Sequence, residues 1–139
     1  MIETRLDKNF KIKGFFDEET STISYVVYDV TSKKCAVIDS VLDFDFSSGT
    51  IDYHNAEKII SFIEKMKLDL EWLIETHVHA DHLSASPYIQ KKLGGKIGIS
   101  EKISDIQNIF GKTFNAGTEF QKDGSQFDRL FKDNDEYKI

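Results

Sequence analysis

Apolar side chains predict three β-strands in the first forty residues of the chain. Residues 11–16 form the first segment, and residues 24–30 form a second segment that is rich in β-branched and aromatic side chains, which strands favour. Residues 35–39 are almost continuously apolar, as expected for a strand that is buried on both faces. Small polar and basic residues at positions 31–34 predict a turn, so the second and third strands should form a hairpin.

The clearest helix prediction covers residues 53–67. Its apolar positions recur at intervals of three and four residues, which places them on one face of a helix; they are Ala56, Ile59, Ile60, Ile63 and Met66. Asp52 is the candidate N-terminal cap, and Lys65 and Lys67 suit the negative end of the helix dipole. The segment before this helix, residues 43–50, is predicted to be a loop.

A second strand and helix follow in the middle of the chain. Residues 71–76 read as a short apolar strand. The helical stripe after it consists of Ala85, Tyr88, Ile89 and Leu93. Ser84 or Ser86 is the predicted cap of this helix, Pro87 is tolerated in its first turn, and the glycines at 94–95 end it.

The remaining elements complete an α/β pattern. Residues 96–100 predict a short strand, and Ile103, Ile106 and Phe110 predict a short third helix. From Gly111 onward the chain is polar but still contains several apolar side chains, which favours an ordered loop over a tail. Strands and helices in this order predict helices that cover a sheet.

The composition fits one globular domain. The chain has 139 residues, of which 40% are hydrophobic and 30% charged. The formal net charge of -6 and the lack of a basic tract argue against nucleic acid and anionic membranes as partners. A single cysteine, Cys35, and the lack of a signal-peptide pattern or a membrane-spanning run favour a cytoplasmic location.

Three of the four histidines lie close together after the predicted strand 71–76. Imidazole and carboxylate groups are the usual nitrogen and oxygen ligands of zinc, iron and manganese. Because side chains alternate along an extended segment, His77 and His79 point to the same side and can bind one ion together. Asp81 and His82 lie just beyond and can face a second ion. We therefore predict a metal site at these four residues.

Other candidates have plainer interpretations. A polar loop that is merely rich in histidine is the alternative for the motif, but the spacing favours the metal site. His54, the fourth histidine, falls at the exposed start of the first helix and is expected to be solvated. Cys35 is a candidate redox thiol, but no histidine or basic helix end is placed to lower its pKa, which favours a buried structural residue.

The segment His77-Val78-His79-Ala80-Asp81-His82 resembles the HxHxDH signature of the metallo-β-lactamase fold. The longer run from Trp72 to Ser84 is similar to one branch of this family, the persulfide dioxygenases and β-lactamase-like hydrolases near glyoxalase II. Residues 36–43 and 123–128 also resemble that branch, so the resemblance covers nearly the whole chain. The signature is specific for the fold and weak for the substrate.

The resemblance implies that residues 1–139 are a single, apparently truncated domain, the N-terminal half of an αββα sandwich. This half would be a mixed sheet with helices on one face. The family's second half carries a histidine in a Gly-His-Thr-like turn, a bridging aspartate and a final histidine, whereas no histidine follows His82 here. Asp39 matches an aspartate near the family's metal region, where it would orient a ligand histidine or cap the following turn.

The resemblance leaves three functions open. The first is a persulfide dioxygenase that oxidises glutathione persulfide to sulfite with Fe(II) and O₂, its iron bound by His77 and by residues of the second half. The second is a zinc-dependent thioester hydrolase of the glyoxalase II type. The third is a non-catalytic, truncated or split-gene remnant that folds and self-associates. One or two ions of Fe(II) or Zn(II) are expected, with Asp81 as the candidate catalytic residue and a small thiol-derived molecule as substrate.

A lone half of this fold would also expose the sheet face that normally packs on the other half. Exposed apolar patches mark interaction surfaces. We therefore expect the chain to form a homodimer or to pair with a separate C-terminal half, and a two-fold dimer would bring two copies of the motif close together.

Overall fold

The computed structural model describes residues 9–45, 47–77, 83–105 and 127–139. Within these ranges the elements are β1 (Phe10–Asp17), β2 (Thr22–Asp29), β3 (Lys34–Ile38), β4 (Val41–Asp45), β5 (Thr50–Asp52), α1 (His54–Lys65), β6 (Asp69–Ile74), β7 (Leu83–Ser84), α2 (Ser86–Leu93), β8 (Lys96–Ser100) and β9 (Arg129–Phe131). The larger sheet has six strands in the order β1-β2-β3-β6-β8-β9, and the smaller one has the order β5-β4-β7. The larger sheet is mixed, because β1, β2 and β3 pair antiparallel and the later neighbours pair parallel.

Aspartate side chains stabilise the two turns that join the first three strands. In the β1–β2 turn, Asp17 accepts hydrogen bonds from the backbone N–H and the hydroxyl of Thr20, at 3.1 and 2.5 Å. In the β2–β3 turn, Asp29 accepts from the N–H groups of Thr31 and Ser32, at 2.7 and 3.0 Å. Aspartate favours turns for this reason, and the predicted hairpin of the second and third strands is confirmed.

Both helices pack on one face of the six-stranded sheet, which confirms the predicted α/β architecture. Helix α1 buries Ala56, Ile59, Ile60 and Ile63, and helix α2 buries Ile89. The sheet contributes Val26, Val37, Leu73 and Ile97 to the same core. Burying a large aliphatic side chain stabilises a fold by about 1.5–3 kcal/mol. This core holds β3 and β6 side by side and parallel, so that their last residues, Ile38 and Ile74, are neighbours.

The opposite face of the sheet carries exposed apolar side chains at its β1–β2 end. Val26 is buried in the core, so Ile23 and Tyr25 on the same strand point away from the helices. Phe16 lies directly opposite Ile23 and shares this side, as does Ile12 four residues earlier. Ile12 is 58% exposed, Phe16 57% and Ile23 43%. We call the surface formed by Ile12, Phe16, Ile23 and Tyr25 the helix-free face.

The predicted loop at 43–50 is wrong. Strand β4 pairs with β5 across this segment, with Asp43 opposite Asp52 and Asp45 opposite Thr50. The Asp45 carboxylate accepts the hydroxyl of Ser47 at 2.7 Å, and Gly49 adopts the left-handed conformation, with φ of 68°, that a tight turn requires. Strand β5 has only three residues, all exposed, so its sequence lacks the alternation of buried and exposed positions that would predict a strand.

The predicted N-terminal caps are also wrong. The residue at the N-cap of α1 is Tyr53, and the side chain that serves the helix start is Asp43, which accepts the Asn55 N–H at 2.8 Å. The N-cap of α2 is Ala85, although the Ser84 hydroxyl accepts the N–H of Ser86 at 3.1 Å. The predicted C-terminus of α2 is confirmed, since Gly94 follows Leu93 with φ of 79°.

The last part of the chain returns to the sheet. Residues 103–105 are helical and Ile103 is buried, whereas Ile106 and Phe110 of the predicted third helix, and most of the predicted loop after Gly111, lie outside the described residues. Strand β9 was not predicted and pairs parallel with β8. No helix within the described ranges is long and apolar enough to cross a lipid bilayer.

Candidate metal centre

The structure places one of the four predicted metal ligands. Strand β6 ends at Ile74, and His77 lies three residues later with its side chain exposed. His79, Asp81 and His82 lie outside the described residues, so their positions, and the catalytic role assigned to Asp81, stay predictions.

Asp39 connects the end of β3 to the residues that follow β6. Because β3 and β6 are parallel neighbours, the residues after both strands lie at the same sheet edge. The Asp39 carboxylate accepts the Thr76 N–H at 2.8 Å through Oδ1 and the Thr76 hydroxyl at 2.6 Å through Oδ2. The Asp39 backbone has φ of 52° and is held by its own N–H, which donates to the Ile74 carbonyl at 2.9 Å.

These hydrogen bonds assign the tautomer of His77. The Thr76 hydroxyl lies 2.8 Å from Nδ1 of His77, and its single proton is already donated to Asp39. It therefore accepts a proton from Nδ1, which leaves the lone pair of the neutral ring on Nε2. A histidine whose other nitrogen donates to a fixed acceptor is the usual arrangement of a metal ligand. Of the two roles considered for Asp39, its hydrogen bonds fit the orientation of His77 through Thr76.

A buried carboxylate lies directly before this relay. Glu75 is only 5% exposed. Its Oε1 accepts the Ser86 hydroxyl at 2.6 Å and also the Ser84 hydroxyl. Because Ser86 donates to Glu75, the Ser40 hydroxyl donates to Ser86, with the two oxygens 3.3 Å apart. The end of β3, the end of β6 and the start of α2 are therefore joined by polar side chains as well as by the backbone.

Neither Thr76 nor Glu75 was predicted as a site residue. The available signal was Glu75 itself, an acidic residue that ends an otherwise apolar run and directly precedes the histidine motif. A charge at such a position has to be exposed or hydrogen-bonded inside the protein, and sequence alone does not distinguish these outcomes.

The donor chemistry of His77 fits a transition-metal ion. A neutral imidazole nitrogen suits both Zn(II) and Fe(II), and the Asp39–Thr76 relay provides the oriented partner that such ligands need. Within residues 9–45, 47–77, 83–105 and 127–139, no three His, Cys, Asp or Glu side chains form a group that could hold a metal ion. A complete site at this edge therefore needs donors in addition to His77.

Cys35 and His54 take no part in this centre. Cys35 is fully buried, and burial, aided by the carboxylates of Asp69 and Glu71, raises the pKa of its thiol to about 12. It is therefore a protonated core residue, which confirms the structural interpretation. His54 is exposed at the start of α1, as predicted.

Comparison with known proteins agrees with the fold. A family model described as the metallo-beta-lactamase superfamily matches residues 18–136. A probable metallo-hydrolase from Burkholderia pseudomallei (strain 1710b) is 50% identical over 124 residues, which are 89% of this chain and 42% of that protein. The mitochondrial persulfide dioxygenase ETHE1 of Bos taurus is 24% identical over 96 residues, which are 69% of this chain and 34% of that protein.

A solved structure has a similar fold. The crystal structure of ETHE1 from Myxococcus xanthus matches with a TM-score of 0.53 and 25% identity, over 63% of this chain and 34% of that one. The chain spans 30–44% of the length of the curated relatives that are 38–50% identical to it. Since the family model covers most of the sequence, this chain belongs to the metallo-beta-lactamase superfamily.

Proposed function

We propose that this chain supplies part of the metal centre of a glutathione persulfide dioxygenase, which oxidises a persulfide to sulfite with O₂ and Fe(II). The observation that carries the proposal is the hydrogen-bond relay from Asp39 through Thr76 to His77, because it favours the tautomer in which Nε2 of a motif histidine has the lone pair that a metal ligand needs. Similarity to proteins named ETHE1 and persulfide dioxygenase supports the sulfur substrate.

Each residue has a defined part in this proposal. His77 binds the ion through Nε2, while Thr76 and Asp39 hold its tautomer and ring orientation. His79, Asp81 and His82 are proposed as further ligands on the spacing of the motif alone, with Asp81 as the candidate catalytic carboxylate. When bound, Fe(II) supplies the redox chemistry with O₂ that no side chain of the chain provides.

The substrate sulfur comes from a small molecule rather than from Cys35. The only cysteine in the sequence is Cys35, and its thiol is buried and protonated. A persulfide carrier needs an accessible thiolate. A soluble thiol derivative such as glutathione persulfide meets the requirement that Cys35 does not.

Thioester hydrolysis is the second candidate function. It is favoured by the 50% identity to a protein named as a probable metallo-hydrolase. When bound, Zn(II) lowers the pKa of a water molecule and polarises the substrate carbonyl. His77 and its relay would serve this reaction in the same way, so the metal and the substrate distinguish the two candidates.

The experiment compares both reactions on one purified chain. The chain is loaded with Fe(II) without oxygen, or with Zn(II), and is then assayed for oxygen consumption with glutathione persulfide and for cleavage of a glutathione thioester. Oxygen uptake by the iron form, lost in His77→Ala and kept in His54→Ala, supports the dioxygenase. Thioester cleavage by the zinc form alone supports the hydrolase instead. Metal binding with neither reaction assigns the chain to the non-catalytic alternative.

A further inference from the structure

The residues on either side of positions 78–82 are joined through one buried carboxylate. Glu75 precedes this stretch, and Ser84 and Ser86 follow it. Both serine hydroxyls donate to the same oxygen, Oε1 of Glu75. Glu75 is 5% exposed and Ser86 2%, so water has little access to the hydrogen bond between them.

Few backbone hydrogen bonds hold strand β7 in place. Strand β7 has only two residues and pairs with the start of β4, with Val41 opposite Ser84. The next N–H, that of Ala85, donates to the Ser40 carbonyl at 3.2 Å. These contacts tie β7 to the smaller sheet, whereas the Glu75 side chain ties it to β6 in the larger sheet.

The chemistry of Glu75 suits this link. An ionised carboxylate only accepts hydrogen bonds and can accept several, and bonds from hydroxyl groups to a charged oxygen are stronger than neutral ones. A carboxylate at this depth is costly unless it is hydrogen-bonded. Its backbone is fixed as well, because the Glu75 N–H donates to the Gly98 carbonyl of β8 at 3.0 Å.

We infer that Glu75 is a positioning residue for the metal ligands, an inference that rests on the proposed metal-binding function. Its carboxylate holds Ser84 and Ser86 against the end of β6. This contact fixes the distance between Glu75 and Ser84, and the four predicted ligands lie between these two residues in the sequence: His77, His79, Asp81 and His82. The Asp39–Thr76 relay orients His77, whereas the Glu75 contacts hold together the residues that precede and follow the motif in the sequence.

The test measures the affinity for Zn²⁺ alone and the amide exchange of the metal-free chain. Glu75→Ala and Ser84→Ala are expected to weaken Zn²⁺ binding by about 10-fold, the lower end of the effect of losing a partner that directly hydrogen-bonds a ligand, and to speed exchange at the Ala85 amide. Ser84→Thr keeps the hydroxyl and should behave as wild type. Glu71→Ala, on the same strand but paired with Lys34 at the surface, is the matched control.

The outcomes separate this inference from the function on which it rests. If Glu75→Ala and Ser84→Ala bind Zn²⁺ and protect the Ala85 amide as the wild type does, the inference is overturned while metal binding stands. If the wild type binds no Zn²⁺, the metal-binding proposal fails. If, in addition, the Ala85 amide of Ser84→Ala exchanges as slowly as in the wild type, the contact between Ser84 and Glu75 does not hold this part of the chain either. Should Glu75→Ala not fold, the pair Ser84→Ala and Ser84→Thr still decides the question.

Discussion

The hydroxyl group of Thr76 connects the carboxylate of Asp39, after β3, to the imidazole of His77, after β6. Thr76 donates to Asp39 and accepts from Nδ1 of His77, so the direction of both bonds depends on the charge of Asp39. An exposed histidine would otherwise exchange between tautomers. The relay therefore favours the one form of His77 that offers Nε2 to a metal ion.

Replacing Asp39 by asparagine should reverse this relay. Asparagine tolerates the positive φ of 52° at this position, so the backbone is preserved. The amide oxygen of the asparagine can still accept the Thr76 N–H. The asparagine NH₂ group then faces the Thr76 hydroxyl and donates to it, so the hydroxyl proton of Thr76 turns toward His77. We expect Asp39→Asn to weaken Zn²⁺ binding by about 10- to 100-fold in a competition titration. The control is Asp29→Asn in the β2–β3 turn, and equal affinity of the two variants would refute the relay.

The buried thiol of Cys35 gives a pH dependence of stability. Its pKa is raised from 9.0 to about 12 in the folded chain, chiefly by burial. Between these values the unfolded chain loses the thiol proton and the folded chain keeps it, so the free energy of unfolding falls as pH rises from about 9 to 12. Urea unfolding across this window should show a shallower fall for Cys35→Ala. Identical slopes for Cys35→Ala and wild type would mean that the thiol titrates normally in the folded protein.

At the scale of elements, the start of helix α1 depends on a residue from another strand. Asp43 in β4 accepts the N–H of Asn55 at 2.8 Å and its side-chain Nδ2 at 2.5 Å. The carboxylate is thus placed at the positive end of the helix dipole, where it is most favourable. The nearer acidic residue, Asp52, accepts the N–H of Tyr53 at 2.6 Å, outside the helix.

Removing the Asp43 carboxylate should therefore destabilise the protein more than removing Asp52. We expect Asp43→Ala to lower the free energy of unfolding by about 1 kcal/mol, the usual effect of losing a helix cap. Asp52→Ala should cost clearly less. Urea unfolding followed by circular dichroism measures both variants, and a larger loss for Asp52→Ala would contradict the assignment.

The elements that could be predicted from the sequence are those with a long periodic pattern. Helix α1 has four buried positions on one face, and the hairpin strands have apolar runs. Short elements escaped prediction because β5 and β9 have three residues each and their pairing depends on the tertiary fold. The contacts of Asp43 and Glu75 escaped for a similar reason: their partners lie 12 and 9–11 residues away in the sequence. The ligand types in the histidine motif, by contrast, are visible without any structure.

At the scale of the whole molecule, the helix-free face is the main uncovered apolar surface among the described residues. Ile12, Phe16, Ile23 and Tyr25 lie together on it, each more than one-third exposed. A two-fold axis brings the same patch of two copies together, and such an interface is self-complementary. We propose that a second copy of the chain covers this face, with a separate polypeptide that supplies the second half of the fold as the alternative.

A charge at the centre of this face should prevent the association. We expect the wild type to scatter light as a dimer at micromolar concentration and Ile23→Lys to scatter as a monomer, because a lysine that is desolvated in the interface is costly. Ile51→Lys is the control, since Ile51 is exposed to a similar extent, 46%, but lies on β5 in the smaller sheet. A monomeric wild type, or a dimeric Ile23→Lys variant, would exclude this interface.

We propose that the segment after β6 binds a transition-metal ion through its histidines, beginning with His77. The most direct measurement is the metal content of the purified chain, per mole of protein, after exposure to Fe(II) or Zn(II) and removal of loosely bound ions. We expect bound metal in the wild type and in His54→Ala, and almost none in the double variant His77→Ala/His79→Ala. Equal metal content in the wild type and the double variant would contradict it.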